Sequence, residues 1–202
     1  PNAKTRQDSA AALGKSRRRE AVAPLAALAH DPEAKVRMEM VRALNALRDL
    51  SAVPALCTSL GDGDPKIREE ALGSLVELYS ERERMTPVTR FLDAFSDEYD
   101  RASVPPYTAV DPAAFQGLAT VLNDPEPDLR EQAAYAIGIL GGRGVVKQLT
   151  ASLQDGDADV RGAAATAIGK VGSSDDGRAL VPLISDGSNE VLRRRYEYDR
   201  RG

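Results

Sequence analysis

The chain has 202 residues, 27 basic and 31 acidic, for a formal charge of -4, a balance that gives no general attraction to nucleic acid or to an acidic membrane. One cysteine, one histidine and no tryptophan exclude an internal disulfide framework, a multi-cysteine or two-histidine zinc site and an indole platform for stacked bases. No apolar run approaches the roughly 20 residues needed to span a bilayer, and the content of Leu, Ala and Val with few aromatics favours closely packed helices over a β-sandwich.

Internal repetition organises the rest. DPEAKVR from Asp31, DGDPKIR from Asp62, DPEPDLR from Asp124, DGDADVR from Asp155 and DGSNEVL from Asp186 can be laid over one another. The leading aspartates are separated by 31, 62, 31 and 31 positions, so the period is 31 and one slot, containing Asp93, is irregular but keeps the register.

In chain order, residues 4–14 (KTRQDSAAALG) match the second helix of a unit, because Arg6 and Leu13 stand 31 before Arg37 and Leu44. Its first helix would precede the numbered chain, an expectation that both ends interrupt or cap a longer array. Leu25 then marks a short helix A, and Val36, Met40, Leu44 and Leu47 mark a longer helix B. These positions fall at i, i+4, i+8 and i+11, one face of a helix. The next unit repeats this with Leu56, then Ile67, Ala71, Leu75 and Leu78. Asp31 and Asp124 are expected to cap helix B with Pro32 and Pro125 in its first turn, and Asp64-Pro65 to do so two residues later.

The irregular slot has Glu98 where an apolar residue belongs and Pro105-Pro106 where helix B should run, and proline there removes a hydrogen bond and clashes with the preceding turn. A helix over 87–98 and an extended stretch SVPPYTAVD are expected instead. Phe91, Phe95, Tyr99, Tyr107 and Phe115 lie here, five of the nine aromatics of the chain. Asp111-Pro112 should start the following helix A, with Phe115 and Leu118 facing inward. Leu129, Ala133, Ile137 and Leu140, then Leu149, then Val160, Ala164, Ile168 and Val171 continue the pattern to Leu180 and Val191. Gly141, Gly142 and Gly172 are placed to close helix B in a left-handed conformation, and Ala43, Ala136 and Ala167 to let helices approach. Arg195 departs from a small-residue column.

These units resemble HEAT repeats of the short bacterial type, the phycobilisome-lyase HEAT-like repeats, whose pattern is D-P-x-x-x-V-R-x-x-A-x-x-A-L-x-x-L. Asp31-Pro32 with Val36-Arg37 and Ala43-Leu44 carry it, as do Asp124-Pro125 with Leu129-Arg130 and Asp155 with Val160-Arg161. The resemblance implies an all-α superhelix, an α-solenoid of about six helical hairpins with one degenerate, over residues 1–202 as a single domain with an irregular repeat or insertion at 81–112. It also implies that Asp31, Arg37, Asp62, Arg68, Asp124, Arg130, Asp155 and Arg161 form a structural ladder, each arginine pairing with the turn aspartate of its own or a neighbouring unit.

No catalytic, cofactor-binding or metal-ligating constellation emerges. His30 precedes a turn and reads as solvated; Cys57 shares a helix-A column with Ala26 and Ala119 and reads as core. Gly141-Gly142-Arg143-Gly144 has neither the preceding strand nor the G-K-[ST] ending of a phosphate loop. Asp97, Glu98 and Asp100 read as a solvated face. The functional expectation is therefore a non-catalytic scaffold or adaptor that takes a protein partner and needs no cofactor. Candidate contacts are Phe95, Tyr99, Pro105, Pro106 and Tyr107 in the irregular slot, with Glu39, Arg42, Glu69, Glu70, Glu131 and Gln132 on exposed faces of helix B. The alternatives are a lyase-like accessory subunit or inert domain of a larger enzyme, and nucleic-acid binding through Lys15, Arg17, Arg18 and Arg19 or Arg193, Arg194, Arg195, Arg200 and Arg201. A cytoplasmic location is the expectation, with export left open because no initiator Met is present.

Overall fold

A computed structural model describes residues 2–80 and 109–173 together with Asp176. The slot helix over 87–98, its extended stretch, and the positions of Leu180, Val191 and Arg195 lie outside the described residues, as does the final basic cluster. Among the described residues every regular element is helical: α1 (Ala3–Lys15), α2 (Val22–Ala26), α3 (Ala34–Leu47), α4 (Val53–Ser59), α5 (Pro65–Tyr79), α6 (Pro112–Val121), α7 (Pro127–Leu140), α8 (Val146–Ser152) and α9 (Ala158–Val171). Single 3-10 turns at Arg19–Ala21, Leu50–Ala52 and Arg143–Val145 lead into α2, α4 and α8. The chain is an all-α solenoid of helical hairpins.

Two compact units partition the chain, one of residues Pro1–Val88 and Pro105–Gly117, the other of Thr89–Val104 and Leu118–Gly202. In the first, the long helices stack α1 on α3 and α3 on α5, while α2 and α4 back them. In the second, α9 packs on both α7 and α8. The repeating apolar columns supply the interior: Val36, Ile67, Leu129 and Val160 are buried, as are Met40, Ala71, Ala133 and Ala164, then Leu44, Leu75, Ile137 and Ile168. Leu25, Leu56, Leu118 and Leu149 are their fully buried counterparts on the short helices. Each such leucine or isoleucine contributes on the order of 1.5–3 kcal/mol of burial, which is what holds short helices that would not persist alone. Leu13, Leu47 and Leu78 are only half-buried.

Small residues set the helix spacing. A Cβ on Gly14 of α1 would lie 2.8 Å from both Cα and Cβ of Ala43 in α3, so the helices are closer than a methyl group allows. Three local expectations need correction. Asp31 and Asp124 are not the caps of helix B: that position belongs to Glu33 and Glu126, two residues on, leaving Pro32 and Pro125 outside the helix and Pro127 in its first turn. Asp64-Pro65 does cap as expected, Asp64 accepting from the Lys66 N–H. Of the glycines, Gly141 closes its helix left-handed at φ 81 but Gly172 is extended. The other left-handed positions among the described residues are Arg17 and Arg48, at φ 50 and 51. Lastly, Phe115 is half-buried and its neighbour Ala114 takes the interior position.

Candidate functional site

Each described helix A to helix B turn carries the same set of bonds. The leading aspartate folds back on the turn: Asp31 accepts from the Glu33 N–H at 3.0 Å, Asp62 from Asp64 at 2.9 Å, Asp124 from Glu126 at 3.0 Å and Asp155 from Asp157 at 2.9 Å. The arginine six residues later donates Nη1 to that aspartate's main-chain oxygen. These bonds are Arg37 to Asp31 at 2.8 Å, Arg68 to Asp62 at 2.9 Å, Arg130 to Asp124 at 2.9 Å and Arg161 to Asp155 at 2.8 Å. An aspartate set two residues before the cap organises the turn instead of capping the helix, which explains the displaced caps.

The other edge of the guanidinium reaches 25 residues forward. Arg37 donates Nε and Nη2 to the two carboxylate oxygens of Asp62 at 2.6 and 2.9 Å, and Arg130 does so to Asp155 at 2.8 and 2.8 Å. Arg6 grips Asp31 in the same way at 2.5 and 2.8 Å. One planar fork thus ties the carbonyl of its own turn to the carboxylate of the next, a geometry lysine could not supply. By the same spacing Arg68 is in register with Asp93 and Arg161 with Asp186, both outside the described residues.

The forks shape the acid–base behaviour of the turns. The Arg6 fork holds the Asp31 carboxyl below the usual carboxylate range, and the Arg130 fork does so for Asp155. At Asp62 burial pushes upward, but the Arg37 fork and the Asp64 N–H outweigh it and the carboxyl again sits low. All eight ladder residues are therefore engaged in holding turns.

The turns from helix B back to helix A carry other polar groups that the periodicity did not reveal. Asn45 and Glu77, 9% and 8% exposed, meet at 3.0 Å between α3 and α5. Arg48 donates Nη2 to the main-chain oxygens of Glu77 at 3.0 Å and Ser80 at 3.2 Å, satisfying carbonyls at the end of α5. Buried Tyr79 accepts the Asp111 N–H on its hydroxyl at 3.1 Å, and burial raises its phenol above the ordinary value. The signal was available at one place only: Arg17, Arg48 and Gly141 share a repeat column.

Cys57 is half-buried on α4 rather than fully in the core, its Sγ 3.5 Å from the Ala113 carbonyl oxygen. Burial and then the Asp111 charge push the thiol up to about 11, so it stays protonated near neutrality and is a poor nucleophile. His30 is exposed. Among the described residues no group of three or more His, Cys, Asp or Glu is arranged to hold a metal ion, and no helix is long and apolar enough to cross a membrane.

Of the candidate contact residues, Arg42 and Glu69 are exposed, while Glu39, Glu70, Glu131 and Gln132 are half-buried. Arg42 pairs with Glu70 at 3.5 Å across the α3 and α5 surface. Phe95, Tyr99, Pro105, Pro106 and Tyr107 lie outside the described residues.

The profile of the family described as HEAT repeats matches residues 1–76, 23–103 and 115–198. The chain belongs to the HEAT repeats family. Its solenoid is of a type typical of protein-interaction scaffolds. Among solved structures it is similar to an engineered protein at TM-score 0.56 and 18% identity, over 95% of this chain and 87% of that one. A designed armadillo repeat protein in complex with the peptide (KR)4 matches at TM-score 0.55 and 19% identity, over 86% of this HEAT-repeat chain and 78% of its own. The complex of CpcE and CpcF of phycocyanin lyase from Nostoc sp. reaches 22% identity over 95% of this chain and 69% of that one, with a TM-score of 0.47. No curated protein matches significantly in sequence.

Proposed function

We propose that this HEAT-repeat chain is a non-catalytic scaffold that holds a protein partner, with the irregular segment as its principal contact. The observation that supports this most directly is where the chain's chemistry has gone. The forks of Arg6, Arg37 and Arg130 and the carboxylates of Asp31, Asp62 and Asp155 are committed to one another, and the apolar columns are committed to the interior. What the repeat pattern does not use is the run of aromatic and proline residues at Phe95, Tyr99, Pro105, Pro106 and Tyr107. Aromatic side chains bring large contact areas at low entropic cost and dominate interface energetics. Exposed Arg42 and Glu69 on successive long helices add a charged margin.

A photo-crosslinking residue at position 99 of the full chain, in cells that make it, would capture the partner. Replacing Phe95, Tyr99 and Tyr107 together by Ala should abolish that capture, measured from a crosslinker at position 69, with an unchanged thermal melt. Full capture by the folded triple variant would remove the segment from the account.

A further inference from the structure

We propose that the edge of the first unit formed by turns 15–20 and 46–51 docks an acidic segment of a protein, one with an apolar side chain among its carboxylates. Lys15, Arg17, Arg18 and Arg19 stand within five consecutive positions, and all four are exposed. Arg19 pairs with Asp49 at 3.5 Å, and the turn Leu50–Ala52 packs on α2, so the two turns lie side by side. Arg48 adds a fifth charge, because its Nη2 is bonded to main-chain oxygens and not to a carboxylate. Against the five cations stand Glu20 and Asp49, while the Glu77 carboxylate is buried against Asn45. Asp49 is also taken up by the Ser51 N–H and hydroxyl. The patch is thus positive in a chain whose formal charge is -4.

The turn that carries the cations is held in shape. Ser16 donates its hydroxyl to the Leu13 carbonyl at 2.6 Å and accepts the Arg18 N–H at 3.3 Å. Arg17 between them is left-handed at φ 50, a conformation that a Cβ disfavours. The equivalent Arg48 offsets that cost by holding the end of α5, and Gly141 avoids it. Arg17 does neither: among the described residues its side chain, like those of Lys15 and Arg18, has no hydrogen-bond or ion-pair partner. The negative end of α1 accounts for Lys15 in its last turn, but not for the three arginines beyond it. Strain kept at an exposed residue without an internal partner points to an external one. Leu50 decides the class of that partner. Among the described residues it is the one large apolar side chain left exposed, at 54%, and its column holds Arg19 and Arg143 elsewhere, so the interior does not require it. Nucleic acid is gripped by longer basic tracks and aromatic faces, whereas five cations round a leucine match an acidic peptide with an apolar residue. The inference adds a contact surface on the regular repeats to the scaffold reading and does not depend on the irregular segment.

The test measures fluorescence anisotropy of a labelled peptide, EEELEEE, against the full chain. Saturable binding is expected, weakening about tenfold between roughly 50 and 200 mM salt as the charges are screened. Arg17→Glu with Arg18→Glu should weaken it by about tenfold or more. Leu50→Ser should weaken it about threefold, and should leave binding of EEESEEE unchanged. An oligothymidylate of the same charge should bind about tenfold more weakly than the first peptide. Both arginines are exposed, so the double variant should melt like the parent; if it does not, Arg17→Gln with Arg18→Gln removes the charge at similar size and must show the weakening. No saturable binding, unchanged binding in either folded variant, a Leu50→Ser effect equal for both peptides, or tighter binding of the oligothymidylate overturns the proposal. Capture from the crosslinker at position 69 in the Phe95, Tyr99 and Tyr107 variant is read separately: its persistence refutes the irregular segment as the contact, while peptide binding alone decides this surface.

Discussion

The turns that lead from the shorter helix into the longer one carry the same bonds in every described unit, whereas the described turns that lead back close in two different ways. The first kind is tied by side chains: an aspartate closes the turn on itself and an arginine fork binds it to the next. The second kind has no repeated side-chain ladder, although Arg48 caps the end of α5. It is left-handed at Arg17, Arg48 and Gly141, and extended at Ser80 and Gly172. A network of charged groups with fixed geometry admits one arrangement, while a helix end needs only some partner for its last carbonyls. The irregular segment begins at a turn of the second kind, immediately after Ser80.

The strongest challenge to the side-chain-locked turns is acid, which strikes them together. Asp31, Asp62 and Asp155 have folded-state values below their ordinary ones, so the unfolded chain binds protons more readily than the folded one in that window. Their contribution is full above about pH 4 and disappears as pH falls from there through the lowered folded values. The urea midpoint should drop over that range, and more shallowly in Arg37→Gln than in the parent. Equal slopes would show that the forks do not hold the carboxylates low. Next in size, Asp62→Ala removes both the partner of Arg37 and the acceptor for the Asp64 N–H. A loss of about 3 kcal/mol in urea denaturation is expected, since it leaves a poorly solvated guanidinium without its carboxylate. A loss under about 1 kcal/mol would fit an exposed pair instead.

The backbone-closed turns should respond less. Gly141→Ala forces a Cβ into the left-handed region and should cost about 1 kcal/mol, even though no atom lies within 4 Å of the added carbon. Smallest is Arg17→Gly, which relieves the same strain at an exposed residue and should stabilise by about 0.5 kcal/mol after the entropy of glycine is counted. Arg48→Gly should not share that gain, because it removes the bonds to the Glu77 and Ser80 carbonyls. Matching effects at 17 and 48 would mean that the guanidinium of Arg48 contributes nothing as a cap.

Much of this was legible beforehand, for reasons particular to the residues. Val36, Met40 and Leu44 recur in every regular unit, and a stripe with helical spacing has one stable solution, burial against the neighbouring unit. The Asp and Arg columns announced a ladder, but not that Asp31 sits two residues before the helix cap or that Arg37 serves two turns at once. Those facts depend on where a guanidinium fork reaches across 25 residues of chain, which no one-dimensional pattern contains. Asn45 and Glu77 were missed because each stands in a column otherwise held by unrelated residues. Only packing shows that they meet. The column of Cys57 contains alanines and points to the core, whereas its thiol is half-buried against the Ala113 carbonyl.

The period, the helical class and membership of the HEAT repeats were thus determined by the order of residues alone, because burial periodicity and turn chemistry are local properties. The tertiary structure decided how the turns are tied: Arg37 serves the carbonyl of its own turn and the carboxylate of Asp62 at once, and Asn45 meets Glu77 between α3 and α5. Order along the chain fixes which residues share a column, and only packing fixes which of them come within hydrogen-bonding reach.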